Sequence, residues 1–193
     1  MTDYYFVRDG RHKYRFFSSE PPKLVQMKFS RSKKIWELAK KKLLLLPQKI
    51  LRQEQAFERA LKIEEKTIRI YHGGHLEEKR IKHKFYFFLQ RQRTKHIFLL
   101  VGETLFLPVS GLAALLPGPN VFFGALALLM LTHWKTLRGI NRILRKKPEF
   151  AVSARFAEWE NAVESKNENA FTEILGHIEK EHRLENIHKV LWK

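Results

Sequence analysis

The sequence predicts a mainly α-helical protein: a helical membrane hairpin with flanking amphipathic helices and a small N-terminal β-hairpin. Residues 104–134 contain no Asp, Glu, Lys or Arg. Two prolines and a glycine interrupt this apolar run near its middle, and such residues break helices. Strongly basic segments stand on both sides of the run, as they do beside membrane helices.

The net charge of +17 is concentrated around the apolar run. Residues 1–96 carry 25 basic and 10 acidic side chains, and residues 135–148 carry six basic side chains and no acidic one. Residues 149–193 instead carry a net charge of −3. Because phosphate binding needs no neighbouring apolar run, this placement favours the lipid bilayer, and anionic lipid within it, over nucleic acid as the partner.

Several chemistries are missing from the sequence. The absence of cysteine excludes disulfides, cysteine–zinc sites and thiol catalysis. No P-loop, Gly-x-Ser-x-Gly or His-Glu-x-x-His motif is present, so we expect no enzyme activity, no catalytic residue and no cofactor. His72 and His75 have a metal-like spacing, but no carboxylate or cysteine pattern accompanies them, and we expect no metal site. The N-terminus does not resemble a secretory signal.

The N-terminal third is predicted to contain a hairpin and basic helices. In residues 1–32, aromatic runs at 4–7 and 14–17 flank a turn signal, which predicts a β-hairpin followed by a linker. Residues 33–96 predict basic amphipathic helices that pack on a partner helix or lie on a membrane surface. One apolar stripe in this part recurs at helical spacing and comprises Ile50, Phe57, Leu61 and Ile68.

The aromatic and basic side chains of residues 85–96 have two interpretations. Aromatic rings interleaved with Lys and Arg stack on single-stranded RNA in some proteins. They also form belts at the interface between a membrane and water. The apolar run that follows favours the interfacial belt.

Residues 97–144 are predicted to form the membrane hairpin. Its helices are about Ile97–Leu116 and about Val121–Leu144, joined by the turn Pro117, Gly118, Pro119 and Asn120. Asn120 is a suitable N-cap for the second helix. The first helix would be about 30 Å long, which just spans a bilayer. Its uncharged part is shorter, so the hairpin either spans the membrane or dips into one leaflet.

Glu103 and Lys135 are predicted to lie at nearly the same depth, about 20 Å from the turn. One interpretation is an ion pair near the membrane boundary. The other is an intramembrane carboxylate that handles protons or cations, with His133 and Lys135 beside it. The candidate ion- or proton-handling residues are therefore Glu103, His133 and Lys135.

The flanks of the hairpin complete the predicted organisation. Because basic segments precede the first helix and follow the second, both flanks should face the cytoplasm or matrix. Small residues in both helices indicate close packing within the hairpin, a homo-oligomer or another membrane protein as partner. Residues 145–193 carry two amphipathic stripes, which predict a C-terminal helical hairpin.

The turn and its surroundings resemble a known family. The segments LFLPVSGLAALLPGPNVFF at 105–123 and LTHWKTLRGI at 131–140 are similar to the mitochondrial potassium–proton exchange-related family. The most specific part is LLPGPNVFF at 115–123. The resemblance implies a role in cation homeostasis at the mitochondrial inner membrane, or at the inner membrane of a bacterial relative.

Three functions of different kinds remain open. The first is a membrane protein of potassium–proton exchange or cation homeostasis, acting as a transporter component or a regulator. One hairpin is too thin to enclose a transport path alone, so transport would need an oligomer or a partner. The alternatives are a membrane-attached scaffold that binds anionic lipid and an RNA-binding helical protein.

Overall fold

The predicted N-terminal β-hairpin is present, and it belongs to a larger sheet. The structure, a computed structural model, describes residues 3–19, 48–64, 67–113 and 121–192. Within these ranges there are four strands: β1 (Tyr4–Arg8), β2 (Tyr14–Ser18), β3 (Thr67–His72) and β4 (Lys147–Val152). The same ranges contain six helices: α1 (Gln48–Ala60), α2 (Glu78–Ala113), α3 (Val121–Leu144), α4 (Ala154–Glu164), α5 (Glu168–His182) and α6 (His188–Leu191).

The strands form one mixed sheet in the order β2-β1-β3-β4. β1 and β2 pair antiparallel, with Tyr4 opposite Ser18, while β3 runs parallel to β1 on one side and to β4 on the other. Parallel neighbours require a crossover connection. The segment from β3 to β4 contains α2 and α3, so the two helices of the predicted hairpin belong to a crossover within this fold.

Helices cover both faces of the sheet. Alternate side chains of β1 point to opposite faces. Tyr5 and Val7 belong to a core with Phe156 and Trp159 of α4 and with residues of α5 and α6. Tyr4 and Phe6 belong to a second core with residues of α1, α2 and α3. This double coverage explains why all five residues of β1 are buried.

The prediction of a mainly α-helical fold with a helical membrane hairpin is wrong. A four-stranded sheet organises the molecule, and no helix in the described ranges is both long enough and apolar enough to cross a membrane. The physical reason is that the N-terminal part of α2 and the C-terminal part of α3 belong to the sheet-facing core. Ile81, Phe85 and Leu89 of α2 and Ile140 and Ile143 of α3 are buried there.

Three local expectations also change. Glu78–Ala113 form one continuous helix, α2, with Pro108 inside it, so no new helix begins near Ile97. Phe85 is fully buried beneath the sheet, and therefore it is not part of an interfacial belt. Ile68 belongs to β3 and not to the helical stripe of Ile50 and Phe57, because α1 ends at Ala60.

Candidate functional site

Three helices meet closely at one polar junction. α1 packs against α3, and α3 packs against α2. The approach of α1 to α3 is tightest at Gly139, where a Cβ atom would clash with the carbonyl oxygen of Phe57. Only glycine permits backbones to come this near. One and two helical turns before Gly139 on α3, this close approach brings side chains of all three helices together.

A row of four titratable side chains crosses this junction. Glu103 Oε1 lies 3.3 Å from His133 Nε2, and His133 Nδ1 lies 3.1 Å from His96 Nδ1. His96 Nε2 lies in turn 3.3 Å from Glu54 Oε1. Glu54 accepts a further hydrogen bond of 2.7 Å at Oε2 from the hydroxyl of Thr136. We call Glu54, His96, His133 and Glu103 the junction cluster.

Burial decides the electrostatics of the junction cluster. The side chain of His96 is 0% exposed. Burial raises the pKa of Glu103, because desolvation disfavours its charged form. Burial likewise lowers the pKa of His133, and the neighbouring imidazole of His96 acts in the same direction. Burial would raise the pKa of Glu54, but hydrogen bonds and charge from His96, together with the Thr136 hydroxyl, hold that pKa below its ordinary value.

Two atoms of the junction cluster are incompletely satisfied. His96 Nε2 and Glu103 Oε2 are buried, and among the described residues neither has a partner in hydrogen-bond geometry. Buried polar atoms in folded proteins nearly always have such partners. His96 Nε2 keeps the 3.3 Å ion-pair contact with Glu54 Oε1, and Glu103 Oε2 has no donor among the described residues, so the polar groups of this junction only partly satisfy one another.

The structure brings two of the three predicted ion-handling residues together. Glu103 is in contact with His133, which the sequence analysis placed beside it. Lys135 does not pair with Glu103; its Nζ lies 3.0 Å from Glu58 Oε1 on α1. The turn motif Pro117, Gly118, Pro119 and Asn120 lies outside the described residues, so its predicted role stays a prediction.

Sequence reasoning did not find Glu54, His96 and Thr136. His96 lies seven residues before Glu103, so the two share one face of α2, and this spacing is visible in the sequence. Thr136 follows His133 by three residues, which is again one helix face. Glu54 gives no comparable local signal, because only the packing of α1 on α3 places it here.

Beyond the junction, α2 and α3 present exposed apolar side chains. Phe98 is 73% exposed, Leu105 72% and Trp134 52%. We call the whole set the apolar tip; it comprises Phe98, Val101, Leu105 and Phe106 of α2 and Leu129, Leu131 and Trp134 of α3.

Basic side chains adjoin the apolar tip on the same helix faces. Exposed Arg91 and Lys95 precede Phe98 at spacings of seven and three residues, which places all three on one side of α2. Exposed Arg138 follows Trp134 by four residues on α3. Both helices therefore change from basic to apolar along one exposed face.

Comparison with known proteins identifies the family. A model of the family described as mitochondrial K+-H+ exchange-related matches residues 22–146, which is more than half of the 193 residues. The chain belongs to this family. The resemblance predicted from the residues around the turn is thereby confirmed, and the family description relates the chain to potassium–proton exchange and to mitochondria.

The family match covers only part of the fold. It includes α1, β3, α2 and α3, and with them the junction cluster and the apolar tip. β1, β2, β4 and the helices α4 to α6 lie outside it, although β1 and β4 flank β3 in the sheet. No curated protein and no solved structure matches the chain significantly.

Proposed function

We propose that the protein takes part in potassium–proton exchange or cation homeostasis, as a component or a regulator, while attached to an anionic membrane surface through the apolar tip. Family membership supports the first half of this proposal. The observation that carries the second half is the exposed apolar tip with basic side chains beside it. The compartment we propose is the mitochondrial inner membrane or its bacterial counterpart, with the basic side chains facing the matrix or cytoplasm.

The energetics favour a lipid surface as the occupant of the apolar tip. Removing a large apolar side chain from water contributes roughly 1.5–3 kcal/mol, and the tip exposes several such side chains on neighbouring helices. Each Lys or Arg near an anionic surface adds about 1 kcal/mol. Arg91, Lys95 and Arg138 are placed to make this contribution as Phe98 and Trp134 enter the apolar layer. This mode of attachment does not require either helix to cross the bilayer.

A second candidate function rests on the same surface. A scaffold that binds anionic lipid without ion movement would need the apolar tip and the basic side chains, but not the junction cluster. Glu103, His133 and Lys135 stay predicted ion-handling residues only under the exchange hypothesis. One chain is too small to enclose a transport path, so exchange requires an oligomer or a partner membrane protein.

Vesicle flotation tests attachment. We expect the protein to float with vesicles that contain anionic phospholipid and to stay behind with purely zwitterionic ones. The triple variant Phe98→Ser, Leu105→Ser, Phe106→Ser should lose flotation. Val152→Ser is the matched control, because Val152 is 62% exposed at the end of β4, outside the apolar tip. Equal flotation of the triple variant and the wild type would contradict the proposal.

Ion flux separates the two candidate functions. Protein reconstituted in vesicles should couple potassium movement to an imposed proton gradient if it is an exchange component. Glu103→Gln, which removes the carboxylate charge beside His133, should then reduce the flux. The vesicles are also prepared with membrane proteins extracted from the native membrane, so that a partner is present. Flotation without potassium flux in these vesicles would favour the scaffold and overturn the exchange hypothesis.

A further inference from the structure

We propose that Glu54, His96 and His133 bind a divalent transition-metal ion of the Zn²⁺ type at the junction of α1, α2 and α3. Each residue offers one ligand atom, and these atoms all lie within 4.8 Å of one another. The three ligands come from three different helices. This inference does not depend on membrane attachment, and it gives His133, one of the predicted ion-handling residues, a role as a metal ligand.

The ligand chemistry selects the class of metal. Two imidazoles and one carboxylate form the His₂Glu set that binds zinc in many sites, where a fourth position is left for water or substrate. Neutral imidazole suits zinc, copper, nickel and iron, whereas Mg²⁺ and Ca²⁺ prefer sites made of oxygen atoms. The same reasoning excludes K⁺ as the preferred ion of this set. The proposed metal is therefore distinct from the ion in the family description.

Distances within the cluster fit such a site. Two ligand atoms of a tetrahedral zinc ion, each at about 2.0–2.1 Å from the metal, stand roughly 3.4 Å apart. One ligand atom from each of Glu54, His96 and His133 lies within 4.8 Å of the other two. An imidazole binds a metal through one nitrogen: His96 Nε2 is 3.3 Å from Glu54 Oε1, whereas its Nδ1 is 3.1 Å from His133 Nδ1. Rotation of a histidine side chain is therefore needed to bring all three ligand atoms onto one ion.

The burial of His96 is a second observation that points to a ligand. Its side chain is fully buried, and the 3.3 Å contact of Nε2 with Glu54 Oε1 does not have hydrogen-bond geometry. A coordinated metal would satisfy this nitrogen. The negative charges of Glu54 and Glu103 would offset the charge of a divalent ion in a buried place.

The surroundings orient the ligands in the manner of metal sites. The Thr136 hydroxyl donates to Glu54 Oε2 and leaves Oε1 toward the histidines. Glu103 contacts His133 Nε2, as carboxylates often do behind a metal-bound imidazole, leaving His133 Nδ1 on the side of His96. A bound ion would link α1 to both helices of the crossover through coordination bonds, so metal binding should also raise thermal stability.

Metal titration of the full chain, tag-free and stripped with a chelator, tests the proposal. We expect one Zn²⁺ per chain by calorimetry, unaffected by excess K⁺. Co²⁺ should give the intense visible absorption of a four-coordinate ion. His96→Asn and His133→Asn should weaken Zn²⁺ binding at least as much as the roughly 10–100-fold typical for loss of an outer-shell partner. His75→Asn, an exposed histidine outside the junction, is the matched control and should bind normally.

Three results would overturn the proposal. They are the absence of stoichiometric Zn²⁺ binding, an octahedral Co²⁺ spectrum, and unchanged affinity in His96→Asn. Circular dichroism establishes whether each variant folds. The Co²⁺ spectrum and the rise in melting temperature on adding Zn²⁺ are measured on the wild type alone, so an unfolded variant does not remove the test.

Discussion

At the scale of single residues, Gly139 fixes how closely α1 approaches α3. A side chain there would meet the Phe57 carbonyl, which is backbone and cannot rotate away. Gly139→Ala should therefore lower the free energy of unfolding by about 1–3 kcal/mol, as overpacking does. Chemical denaturation measures this loss. Gly176→Ala in α5 is the control: nothing lies within 4 Å of its Cβ position, so alanine should stabilise by up to about 1 kcal/mol. Equal effects would contradict the packing account.

His182 gives the molecule a pH dependence that can be measured. Its ring stacks on Phe156, and its Nδ1 and Nε2 atoms lie 3.3 Å and 3.4 Å from the hydroxyls of Tyr5 and Ser153. Burial lowers the pKa of His182 below its ordinary value of 6.5, although Glu181 acts in the opposite direction. The folded state then binds fewer protons than the unfolded chain, so protonation favours unfolding.

The expected result is a loss of stability as the pH falls below 6.5 toward the lowered pKa of the folded state. Above that window the contribution of His182 is fully present. Thermal melts at a series of pH values should show a shallower dependence for His182→Gln than for the wild type. His83→Gln, an exposed site on α2, should keep the wild-type slope. A slope unchanged in His182→Gln would show that other groups control this transition.

At the scale of elements, the α1–α3 contact contains two neighbouring polar interactions that should contribute unequally to stability. Thr136 is buried and donates to Glu54, whereas Lys135 pairs with Glu58 where both side chains are about one-third exposed. Thr136→Val leaves a buried carboxylate oxygen without its donor and should cost about 1–3 kcal/mol. Lys135→Met should cost less than about 1 kcal/mol, because solvent screens the exposed pair. Urea denaturation measures the loss in the free energy of unfolding for each variant. A larger loss for Lys135→Met than for Thr136→Val would contradict this account.

The sequence predicts some elements well because their signals are local. The bounds Val121–Leu144 of the second apolar helix agree with α3, since breakers precede this helix and Pro148 follows its basic end. The N-terminal hairpin also follows from adjacent aromatic runs around a turn. In contrast, β3 pairs in parallel with strands distant in the chain, and such pairing leaves no local pattern.

The errors in the prediction have a common cause. Ile68 lies seven residues after Leu61, a spacing that extends the predicted helical stripe. In the structure Ile68 and Ile70 are instead alternate buried residues of strand β3. Similarly, Phe85 lies among basic residues but packs beneath the sheet. The candidate site divides in the same way: an antiparallel register places Glu103 near His133 and Lys135, but the structure pairs Lys135 with Glu58 of α1, and Glu54 also depends on tertiary packing.

At the scale of the whole molecule, the crossover helices serve two environments. The N-terminal part of α2 and the C-terminal part of α3 pack under the sheet through residues such as Phe85 and Ile140. The parts of both helices nearer the segment that joins them expose the apolar tip. The junction cluster lies between these two regions. The charge-free run predicts a membrane hairpin, but no helix of the described residues is both long enough and apolar enough to cross a membrane. The position of the junction cluster puts the proposed metal site where a bound ion would hold α1 against both helices.

The most direct test of membrane attachment through the apolar tip is the emission of Trp134. This side chain is 52% exposed, whereas Trp159 is fully buried beside the sheet. The chain also contains Trp36 and Trp192. We predict a blue shift of tryptophan emission when anionic vesicles are added, no shift with zwitterionic vesicles, and a smaller shift in Trp134→Phe. A shift of the same size in Trp134→Phe as in the wild type, or no shift with anionic vesicles, would contradict attachment through this surface.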